Sequence, residues 1–497
     1  MKIKSIALTL FLFLFLSIGN ILVAQTNIDN DKNLSKSQKD LITKYVAGFP
    51  DNTQLSITII TDNNVNCIGI EKINNTLVSI HNRDSVFEIG SITKLFTSTL
   101  LANLVKEKII NLDDPIETVL PYQLKQTVKD RSLITFKTLA NHTSGLPRLP
   151  DNIAMAYDSI QLRYYLQKQL NLSSVPGEKY SYSNLGAGLL GYLLELKTGK
   201  SYEQLLHDMI FSKYDMSFTS SELDKVIDLV VQGRDSSGNI IPNYQSDILK
   251  AAGGILSNVK DLSYYVMANF TSDSILAFQR QKTYTRDGGM DLALGWHIKK
   301  FGGGTYEWYF HNGGMDGYRS CLYMDKNTKS AVIILSNLSA FHPQSGNIDQ
   351  LCSDLLKEVF LAKAKENPSL CEAPFIEMAL NKGWGTHKND SIKQLTKSGK
   401  RIVGVWQKQL SGRTITRTFM PDNKVQSDFM DDPEIDIWGY YQLKGKEIEF
   451  KDIGGAACNN PGHYKYRIHA GKLTFTLIDD SCDGRSSGLS GIWTREK

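Results

Sequence analysis

Three short motifs lie in a fixed order along the 497-residue chain, and together they describe a serine acyl-transfer site. They are Ser91-Ile92-Thr93-Lys94, Tyr182-Ser183-Asn184 and His311-Asn312-Gly313. Ser91 begins a helical pattern, where free backbone N–H groups and the helix dipole favour negative charge. Lys94 follows one turn later on the same helix face, so its amine can reach the serine oxygen. The ordered set, rather than any single motif, indicates a nucleophilic serine.

The second and third motifs would supply the rest of the site. Tyr182 and Asn184 lie between a turn and a glycine-rich helical pattern, a loop position that projects a phenol and an amide into a cleft. His311 ends a short predicted strand. Gly313 and Gly314 follow it, and glycines there let a substrate backbone approach a strand edge closely.

Two further sequences match parts of the pattern, but we interpret them as structural. Ser257-Asn258-Val259-Lys260 repeats the Ser-x-x-Lys spacing. It follows two glycines and precedes an acidic first turn, which predicts a helix N-terminus with Ser257 as the N-cap. Lys197-Thr198-Gly199 ends the helix predicted from residue 185, so Gly199 fits a left-handed C-cap.

Composition excludes several classes of protein. The chain is 41% hydrophobic and 22% charged, with a formal net charge of +4. Without Lys2 and Lys4 the net charge falls to +2, and no basic run is clustered. Such a small excess predicts neither a nucleic-acid partner nor an anionic membrane surface. From the site motifs we expect a small-molecule or peptide substrate. The length predicts two or more domains.

The N-terminus has the pattern of a secretory signal. Lys2 and Lys4 precede a short apolar core at 6–18, and Ala24 ends a small-residue cleavage site. We therefore predict a signal peptide at 1–24 and a periplasmic or secreted mature protein; the alternative is an uncleaved anchor. No later segment is apolar enough to predict a membrane span.

The six cysteines are too few for a disulfide scaffold in a chain of this length. Cys458 and Cys482 are predicted to form a bridge, and Cys352 with Cys371 is a second candidate pair. No two cysteines have C-x-x-C spacing and the histidines are scattered, so we predict no metal site and no cofactor.

The order of the predicted elements is strands, helices, strands and a final helix. Strands are predicted at 55–61, 65–71, 86–89, 294–299, 308–311, 318–325 and 331–336, with mostly helical pattern from 110 to 269 and a helix at 348–364. This order predicts an α+β fold in which both ends of a domain build one antiparallel sheet around an inserted helical subdomain. We place this domain at 25–365, a linker at 366–400 and a small all-β sandwich or barrel at 401–497.

The motifs and their surroundings resemble the serine β-lactamase and penicillin-binding-protein superfamily, specifically its class C-like branch. The similarity includes the run from Leu139 to Pro147 (LANHTSGLP), the residues around Tyr182, the run from Ala252 to Ile255 and the residues after His311. It extends over about residues 40–362 and implies a β-lactamase/transpeptidase-like fold. The C-terminal residues only loosely resemble a lipocalin-like barrel.

The resemblance implies a role for each site residue. Ser91 would be the nucleophile, with either Lys94 or Tyr182 as its base, and Tyr182 would also protonate the leaving group. Nearby Lys94 and His311 are expected to favour the phenolate of Tyr182. Asn184 would hold a substrate amide.

Two further expectations concern charge in the transition state and in the substrate. The backbone N–H groups of Ser91 and Gly314 would bind the oxyanion. His311 stands where many members carry a lysine that helps bind a substrate carboxylate.

From these residues we predict an exported serine hydrolase that forms an acyl-enzyme at Ser91 on amide or ester bonds. Its substrates would be those of a D-amino-acid or peptidoglycan-type peptidase, or of an esterase. Two alternatives remain open: a true class C-like β-lactamase, and a non-enzymatic protein that binds peptidoglycan or an apolar ligand. The oligomeric state is not predicted.

Overall fold

The computed structural model describes residues 26–125, 133–152, 154, 158–286, 290–301, 306–367, 402–410, 413–420, 423–428, 437–455, 461–480, 482–489 and 491–495. The predicted signal peptide at 1–24, and the linker at 366–400 from residue 368 onward, lie outside them and stay predictions. Within the described residues, no helix is both long enough and apolar enough to cross a membrane.

The first domain contains twelve strands and ten α-helices among its described residues. The strands are β1 (Thr26–Asn27), β2 (Gln54–Thr61), β3 (Asn64–Ile73), β4 (Thr76–Ile80), β5 (Phe87–Glu88), β6 (Leu256–Ser257), β7 (Tyr284–Thr285), β8 (Asp291–Leu292), β9 (His297–Phe301), β10 (Tyr306–Met315), β11 (Tyr318–Asp325) and β12 (Ser330–Ser336). The α-helices are α1 (Lys36–Val46), α2 (Thr93–Lys106), α3 (Phe136–Ala140), α4 (Ser159–Tyr164), α5 (Asn184–Thr198), α6 (Tyr202–Leu206), α7 (Lys250–Gly253), α8 (Val259–Asn269), α9 (Ser274–Gln279) and α10 (Gly346–Glu366). Short 3₁₀ turns lie at Ile28–Asn30, Gly90–Ile92, Ile116–Thr118, Leu223–Lys225 and Ile227–Leu229, and π-helical turns at Tyr165–Gln169 and His207–Phe211.

Ten of the strands form one antiparallel sheet in the order β1-β4-β3-β2-β12-β11-β10-β9-β8-β7. β2, near the start of the domain, pairs with β12, near its end, in the register Ile57↔Ile334. The helices from α2 to α9 lie between these strands in the sequence. The predicted α+β fold, with a helical subdomain inserted into a sheet built from both ends of the domain, is therefore confirmed.

The sheet is buried on both faces, as the alternation along β12 shows. Ala331, Ile333 and Leu335 belong to the core that contains α2, α5 and α8. Val332 and Ile334 belong to a second core, formed with α1 and α10. Because successive side chains of a strand point to opposite faces, an unbroken apolar run fills both cores and gives a three-layer domain.

Helix α2 is the centre of the helical layer. Every residue from Thr93 to Leu104 except Asn103 is buried, as expected for a helix without a polar face. Its buried hydroxyls have partners: Thr97 Oγ1 is 2.7 Å from the Tyr202 hydroxyl, and Thr99 Oγ1 is 2.9 Å from that of Tyr265. The helix that carries Lys94 is thus held by hydrogen bonds as well as by packing.

The C-terminal residues form a closed eight-stranded barrel. Its elements are β13 (Gly404–Leu410), β14 (Arg413–Phe419), β15 (Lys424–Asp428), β16 (Ile437–Lys444), β17 (Glu447–Gly455), β18 (Gly462–His469), β19 (Lys472–Asp479), α11 (Asp483–Leu489) and β20 (Gly491–Arg495). Aromatic side chains fill its centre, including Trp406, Phe419, Phe450 and Trp493. Of the two all-β architectures predicted, the barrel is the one found.

Two sequence-based interpretations of helix ends had different outcomes. Gly199 has φ +71° and ends α5 in the left-handed conformation, as predicted. The prediction of Ser257 as an N-cap is wrong, because α8 begins at Val259 and the side chain of Asn258 accepts from Asp261 N at 2.8 Å. Ser257 lies in β6 instead, with its Oγ 2.7 Å from Thr219 Oγ1.

The cysteine predictions also had different outcomes. Cys482 is disulfide-bonded, and its partner lies outside the described residues, so the bridge to Cys458 stays a prediction. Cys352 is a free, buried thiol on α10, and the proposed pair with Cys371 is therefore wrong. Cys352 Sγ donates to Val332 O at 3.3 Å, so packing against the sheet accounts for this residue.

Candidate active site

Ser91 lies at the start of the central helix, in the 3₁₀ turn Gly90–Ile92 that leads into α2. The residue before it, Gly90, has φ +50°, a conformation that favours glycine. A Cβ on Gly90 would lie 2.8 Å from Gly314 N. The turn therefore brings the backbone at Ser91 next to the backbone N–H of Gly314, although the two are far apart in sequence.

Lys94 reaches the serine from the first turn of α2. Its Nζ is 2.9 Å from Ser91 Oγ, 2.9 Å from Asn184 Oδ1 and 2.7 Å from Ala252 O. The residue is 2% exposed, and among the described residues no carboxylate forms an ion pair with it. Burial, together with the charge of Arg148, lowers the pKa of Lys94 well below its ordinary value.

The carbonyl of Ala252 is held in place by hydrogen bonds that join α7 and the residues after it to α2. Thr97 Oγ1 donates to Ala251 O at 2.7 Å, and Ile255 N donates to Thr93 Oγ1 at 3.1 Å. These two bonds flank the contact between Lys94 and Ala252. Sequence analysis noted this segment only as part of a resemblance, because a backbone carbonyl leaves no signature in residue type.

The motif with Tyr182 and Asn184 is attached to the loop that follows α3. Ser183 N donates to His142 Nδ1 at 3.2 Å, and Asn184 N donates to Arg148 O at 2.9 Å. The Ser183 side chain caps α5 by accepting from Gly186 N at 2.8 Å, which leaves Asn184 as the first helical residue and its amide free to meet Lys94.

Tyr182 completes the group around the serine. Its phenol is close enough to the Ser91 side chain for that hydroxyl to lower the pKa of Tyr182. Its ring centroid is 4.9 Å from Lys94 Nζ and 5.2 Å from Arg148 Cζ, and 4.3 Å from the ring centroid of His142. Burial raises the pKa of Tyr182 well above its ordinary value, and the interaction with Ser91 offsets only part of that rise.

His311 is fully buried beside Tyr182, with ring centroids 6.3 Å apart. Burial, then the neighbouring His297 and Lys94, lower the pKa of His311 well below its ordinary value, so the imidazole is neutral at pH 7. Its Nδ1 donates to Asn312 O at 2.7 Å, which leaves a lone pair on Nε2. That nitrogen has no hydrogen-bond partner among the described residues.

The expectation that Lys94 and His311 would favour a phenolate at Tyr182 is therefore wrong. The expectation assumed two cations, but burial lowers the pKa of both groups well below their ordinary values and so disfavours their charged forms. The same burial favours the neutral phenol. The sequence could predict that these groups lie close together, but it could not predict how completely the fold buries them from solvent.

The end of β10 offers an open strand edge at the site. Its pairing with β9 ends at Phe310↔His297, whereas β10 continues to Met315 while paired with β11. A Cβ on Gly313 would lie 2.1 Å from Ile89 O, so only glycine allows this strand to pack against the segment that carries Ser91.

The structure thus brings all the predicted site residues into one place: Ser91, Lys94, Tyr182, Asn184, His311, Gly313 and Gly314. It adds others that the sequence analysis did not single out as site residues, namely Arg148, Ala252, His142 and His297. Among the described residues, no group of three or more His, Cys, Asp or Glu side chains could hold a metal ion.

Comparisons with known proteins agree with this geometry. The Beta-lactamase family model matches residues 76–351. The D-alanyl-D-alanine-carboxypeptidase/endopeptidase AmpH of Escherichia coli (strain K12) is 28% identical over 309 residues, which are 55% of this chain and 77% of that protein. A Beta-lactamase of Pseudomonas fluorescens is 27% identical over 228 residues, 43% of this chain and 61% of that protein.

Solved structures share the fold. A Beta-lactamase/D-alanine carboxypeptidase from Yersinia pestis matches with a TM-score of 0.53 at 23% identity, over 65% of this chain and 99% of that one. The octameric penicillin-binding protein homologue from Pyrococcus abyssi matches with a TM-score of 0.56 at 21% identity, over 89% of this chain and 98% of that one. Taken with the family match over more than half of its length, these findings establish that the chain belongs to the Beta-lactamase family, within the serine β-lactamase and penicillin-binding-protein superfamily.

Proposed function

We propose that this serine hydrolase cleaves amide or ester bonds through an acyl-enzyme at Ser91, and that its substrates are D-amino-acid peptides of the peptidoglycan type or related esters. One observation carries the proposal. Lys94 Nζ lies 2.9 Å from Ser91 Oγ in a buried setting, and no described carboxylate pairs with it. A lysine held in this way is a base rather than a structural cation.

The three contacts of Lys94 support this role. A neutral amine has two N–H donors and one lone pair. Ala252 O and Asn184 Oδ1 can only accept, so they take the two donors, and the lone pair then faces the hydroxyl of Ser91. In this arrangement the hydroxyl donates to Nζ, and Lys94 takes the serine proton as Oγ attacks the scissile carbonyl.

Tyr182 is assigned to the leaving group. Because its pKa is raised, the phenol holds its proton at neutral pH and can donate it. When the tetrahedral intermediate collapses, the bond from the carbonyl carbon to the leaving nitrogen or oxygen breaks, and the leaving group takes the phenolic proton. The ammonium of Lys94, 4.9 Å from the Tyr182 ring centroid, can return a proton to the phenolate. Attack by water then releases the acyl group from Ser91.

The negative charge of the intermediate would be bound by backbone groups. The N–H of Ser91 lies at the N-terminal end of α2, and the N–H of Gly314 faces Gly90 across a close backbone contact. Neither donor depends on a side chain, so both are fixed before the substrate binds. The open edge of β10 beyond Phe310 would lie along the substrate backbone.

Asn184 and His311 would contact the substrate on either side of the scissile bond. Asn184 would hold a substrate amide. His311 is neutral, so it would accept a hydrogen bond through Nε2 instead of attracting a carboxylate as a lysine would. This difference favours a peptidase or esterase over a specialised β-lactamase.

A β-lactamase is the second candidate, because relatives at 27% identity carry that name. Turnover of a chromogenic cephalosporin separates the two. We also propose that the chain is exported, on the strength of the signal pattern at 1–24.

Labelling of the serine tests the acyl-enzyme. The purified chain is treated with a fluorescent penicillin and with a fluorophosphonate, and any adduct is located by mass spectrometry. We expect an adduct on the peptide that contains Ser91, and none in the Ser91→Ala variant. Ser257→Ala is the matched control, since Ser257 also begins a Ser-x-x-Lys sequence but lies buried in β6. Failure of both probes to label the wild type, or labelling of Ser91→Ala at the wild-type level, contradicts the proposal.

A further inference from the structure

Among the described residues, the basic groups buried around Ser91 are poorly suited to attract an anionic substrate. Burial lowers the pKa of Lys94 and of His311 well below their ordinary values and so disfavours their charged forms. Burial also lowers the pKa of His142 well below its ordinary value, and that of His297 to about 4. The basic groups best placed to offer a substrate positive charge therefore lie outside this buried group.

Two arginines lie at the border of the buried group. The Arg148 guanidinium is 5.2 Å from the Tyr182 ring centroid, and that of Arg286 is 5.0 Å from the ring centroid of Tyr180. Arg148 is exposed and Arg286 partly so. The rings of Tyr180 and Tyr182 both lie against His142, with centroids 6.1 and 4.3 Å from its own. The two guanidiniums therefore lie against the same group of rings, and each opposes the rise in the pKa of Tyr180 that burial causes.

Neither arginine is neutralised within the described part of the chain. No described carboxylate pairs with Arg148 or Arg286, and the side-chain contact recorded for Arg286 is a long one of 4.0 Å from Nη1 to Met290 Sδ. Arg319, also near the site, differs because it pairs with Asp349. Stacking on a tyrosine holds a guanidinium plane in place and leaves its N–H edge available for a planar partner.

We infer that Arg148 and Arg286 form a subsite for a carboxylate carried by the substrate, next to the catalytic centre. This inference rests on the proposed function, since it names the charge of the substrate at the same site. A guanidinium binds a carboxylate through paired N–H···O bonds, which a neutral imidazole at His311 cannot do. The subsite would restore the anion recognition that the histidine lacks.

The carboxylate could be the free C-terminus on the leaving side or an acidic group on the acyl side. The backbone of Arg148 accepts from Asn184 N, which brings the arginine close to the residue proposed to hold a substrate amide. The shared chemistry is the carboxylate, and matched peptides distinguish the two sources.

Binding to a form that cannot turn over tests the subsite. In the Ser91→Ala background, calorimetry measures the affinity for three peptides ending in D-alanyl-D-alanine: one with a free C-terminus, its C-terminal amide, and the amide with an N-terminal succinyl group. We expect the peptide with the correctly placed carboxylate to bind about ten- to a hundredfold more tightly than the neutral amide. We expect Arg148→Gln to remove most of this preference, and Arg148→Lys to retain part of it. Arg286→Gln should reduce it less.

Arg163→Gln is the matched control, because Arg163 stacks in the same way on Tyr122, with the guanidinium 5.2 Å from the ring centroid. The subsite is refuted if all three peptides bind equally, or if the preference survives both Arg148→Gln and Arg286→Gln. A preference of the expected size for the peptide with the free C-terminus supports a subsite on the leaving-group side. The same preference for the succinyl peptide supports a subsite on the acyl side. Because the readout is binding without Ser91, failure here is distinct from failure of Ser91 to be acylated.

Discussion

The active site and the barrel each bury a basic side chain, but its surroundings act on its charge in opposite ways. Lys94 is surrounded by a hydroxyl, an amide oxygen and a backbone carbonyl, none of them charged. Arg485, on α11 of the barrel, donates from Nε and Nη2 to the two oxygens of Asp480, at 2.7 and 2.8 Å. The side chains of this ion pair are 1% and 0% exposed.

The groups that contact Arg485 and Lys94 determine the charge state and the role of each side chain. Burial would raise the pKa of Asp480, but hydrogen bonds from Arg485 and from Tyr464 outweigh it and lower the pKa below its ordinary value. Asp480 is thus charged at every physiological pH and holds Arg485 in place. Lys94 has no such counter-charge, so burial shifts it toward the neutral amine. A buried cation with a carboxylate supports the fold, whereas one without a carboxylate is available for proton transfer.

Removing the amine of Lys94 should have the largest effect. In Lys94→Met, we expect the rate at which a fluorophosphonate labels Ser91 to fall by about 10³-fold or more, because no other described group contacts the serine oxygen with a lone pair suited to take its proton. Stopped labelling reactions analysed by gel fluorescence measure the rate.

Two further variants test whether the effect depends on the basicity of Lys94 or only on its positive charge. Lys94→Arg keeps a cation but not a base, and should label as slowly as Lys94→Met. Lys106→Met removes an exposed lysine from the last turn of the same helix and should label as the wild type does. A Lys94→Met protein that is labelled within tenfold of the wild-type rate would show that Lys94 is not the base.

Breaking the ion pair in the barrel should instead cost stability. We expect Asp480→Asn to destabilise the barrel by about 3–5 kcal/mol at neutral pH, because Arg485 would remain buried without its counter-charge. Thermal unfolding of the full chain, followed by circular dichroism, measures the change. Glu449→Gln is the control, since Glu449 pairs with Lys444 at 3.2 Å on the barrel surface, where an ion pair contributes about 0–1 kcal/mol.

The pH dependence of this effect has a definite sign. A carboxyl whose pKa is lowered by folding stabilises the fold above its unfolded pKa, and that contribution is lost as the pH falls through the folded pKa. The difference between wild type and Asp480→Asn should therefore shrink in acid. If Asp480→Asn keeps wild-type stability but loses labelling of Ser91, then this ion pair serves the active site and not the stability of the barrel. That result would contradict the difference in role between Lys94 and Arg485.

The parts of the site that the sequence predicted are those encoded by side chains within short motifs. Ser91, Lys94 and Tyr182 could be identified because residue type and helical spacing together define their chemistry. Ala252 contributes a backbone oxygen and Arg148 an exposed side chain, and neither leaves a pattern. The charge states could not be predicted either, because they depend on burial that only the folded chain creates.

The fold was predictable where the hydrophobic pattern is long. The strands that became β2, β3, β11 and β12 alternate or run apolar over five or more residues, and their predicted ends fall within two residues of the observed ones. Two-residue strands such as β5 carry too little pattern to define their ends. β10 continues past its predicted end at His311 through Gly313 and Gly314, since pairing with β11 outweighs the low strand preference of glycine.

The smallest effect we predict is thermodynamic and returns to Lys94. When a lysine has a lower pKa in the folded chain than its ordinary value of 10.5, the unfolded chain binds more protons between those two values. The stability of the wild type should therefore rise with pH across this range, by about 1.4 kcal/mol per pH unit for one proton. Lys94→Met lacks this group and should lack the slope.

Denaturant unfolding of both proteins at a series of pH values from neutral to 10 measures the difference. Relative to the wild type, Lys94→Met should gain most stability at the lower end, and this gain should shrink as the pH rises toward 10, because a growing share of the unfolded wild type then holds a neutral amine. Lys106→Met controls for the loss of a lysine from α2. Parallel curves for wild type and Lys94→Met would mean that Lys94 keeps its proton on folding, and the amine would then need another group to remove that proton before it could act on Ser91.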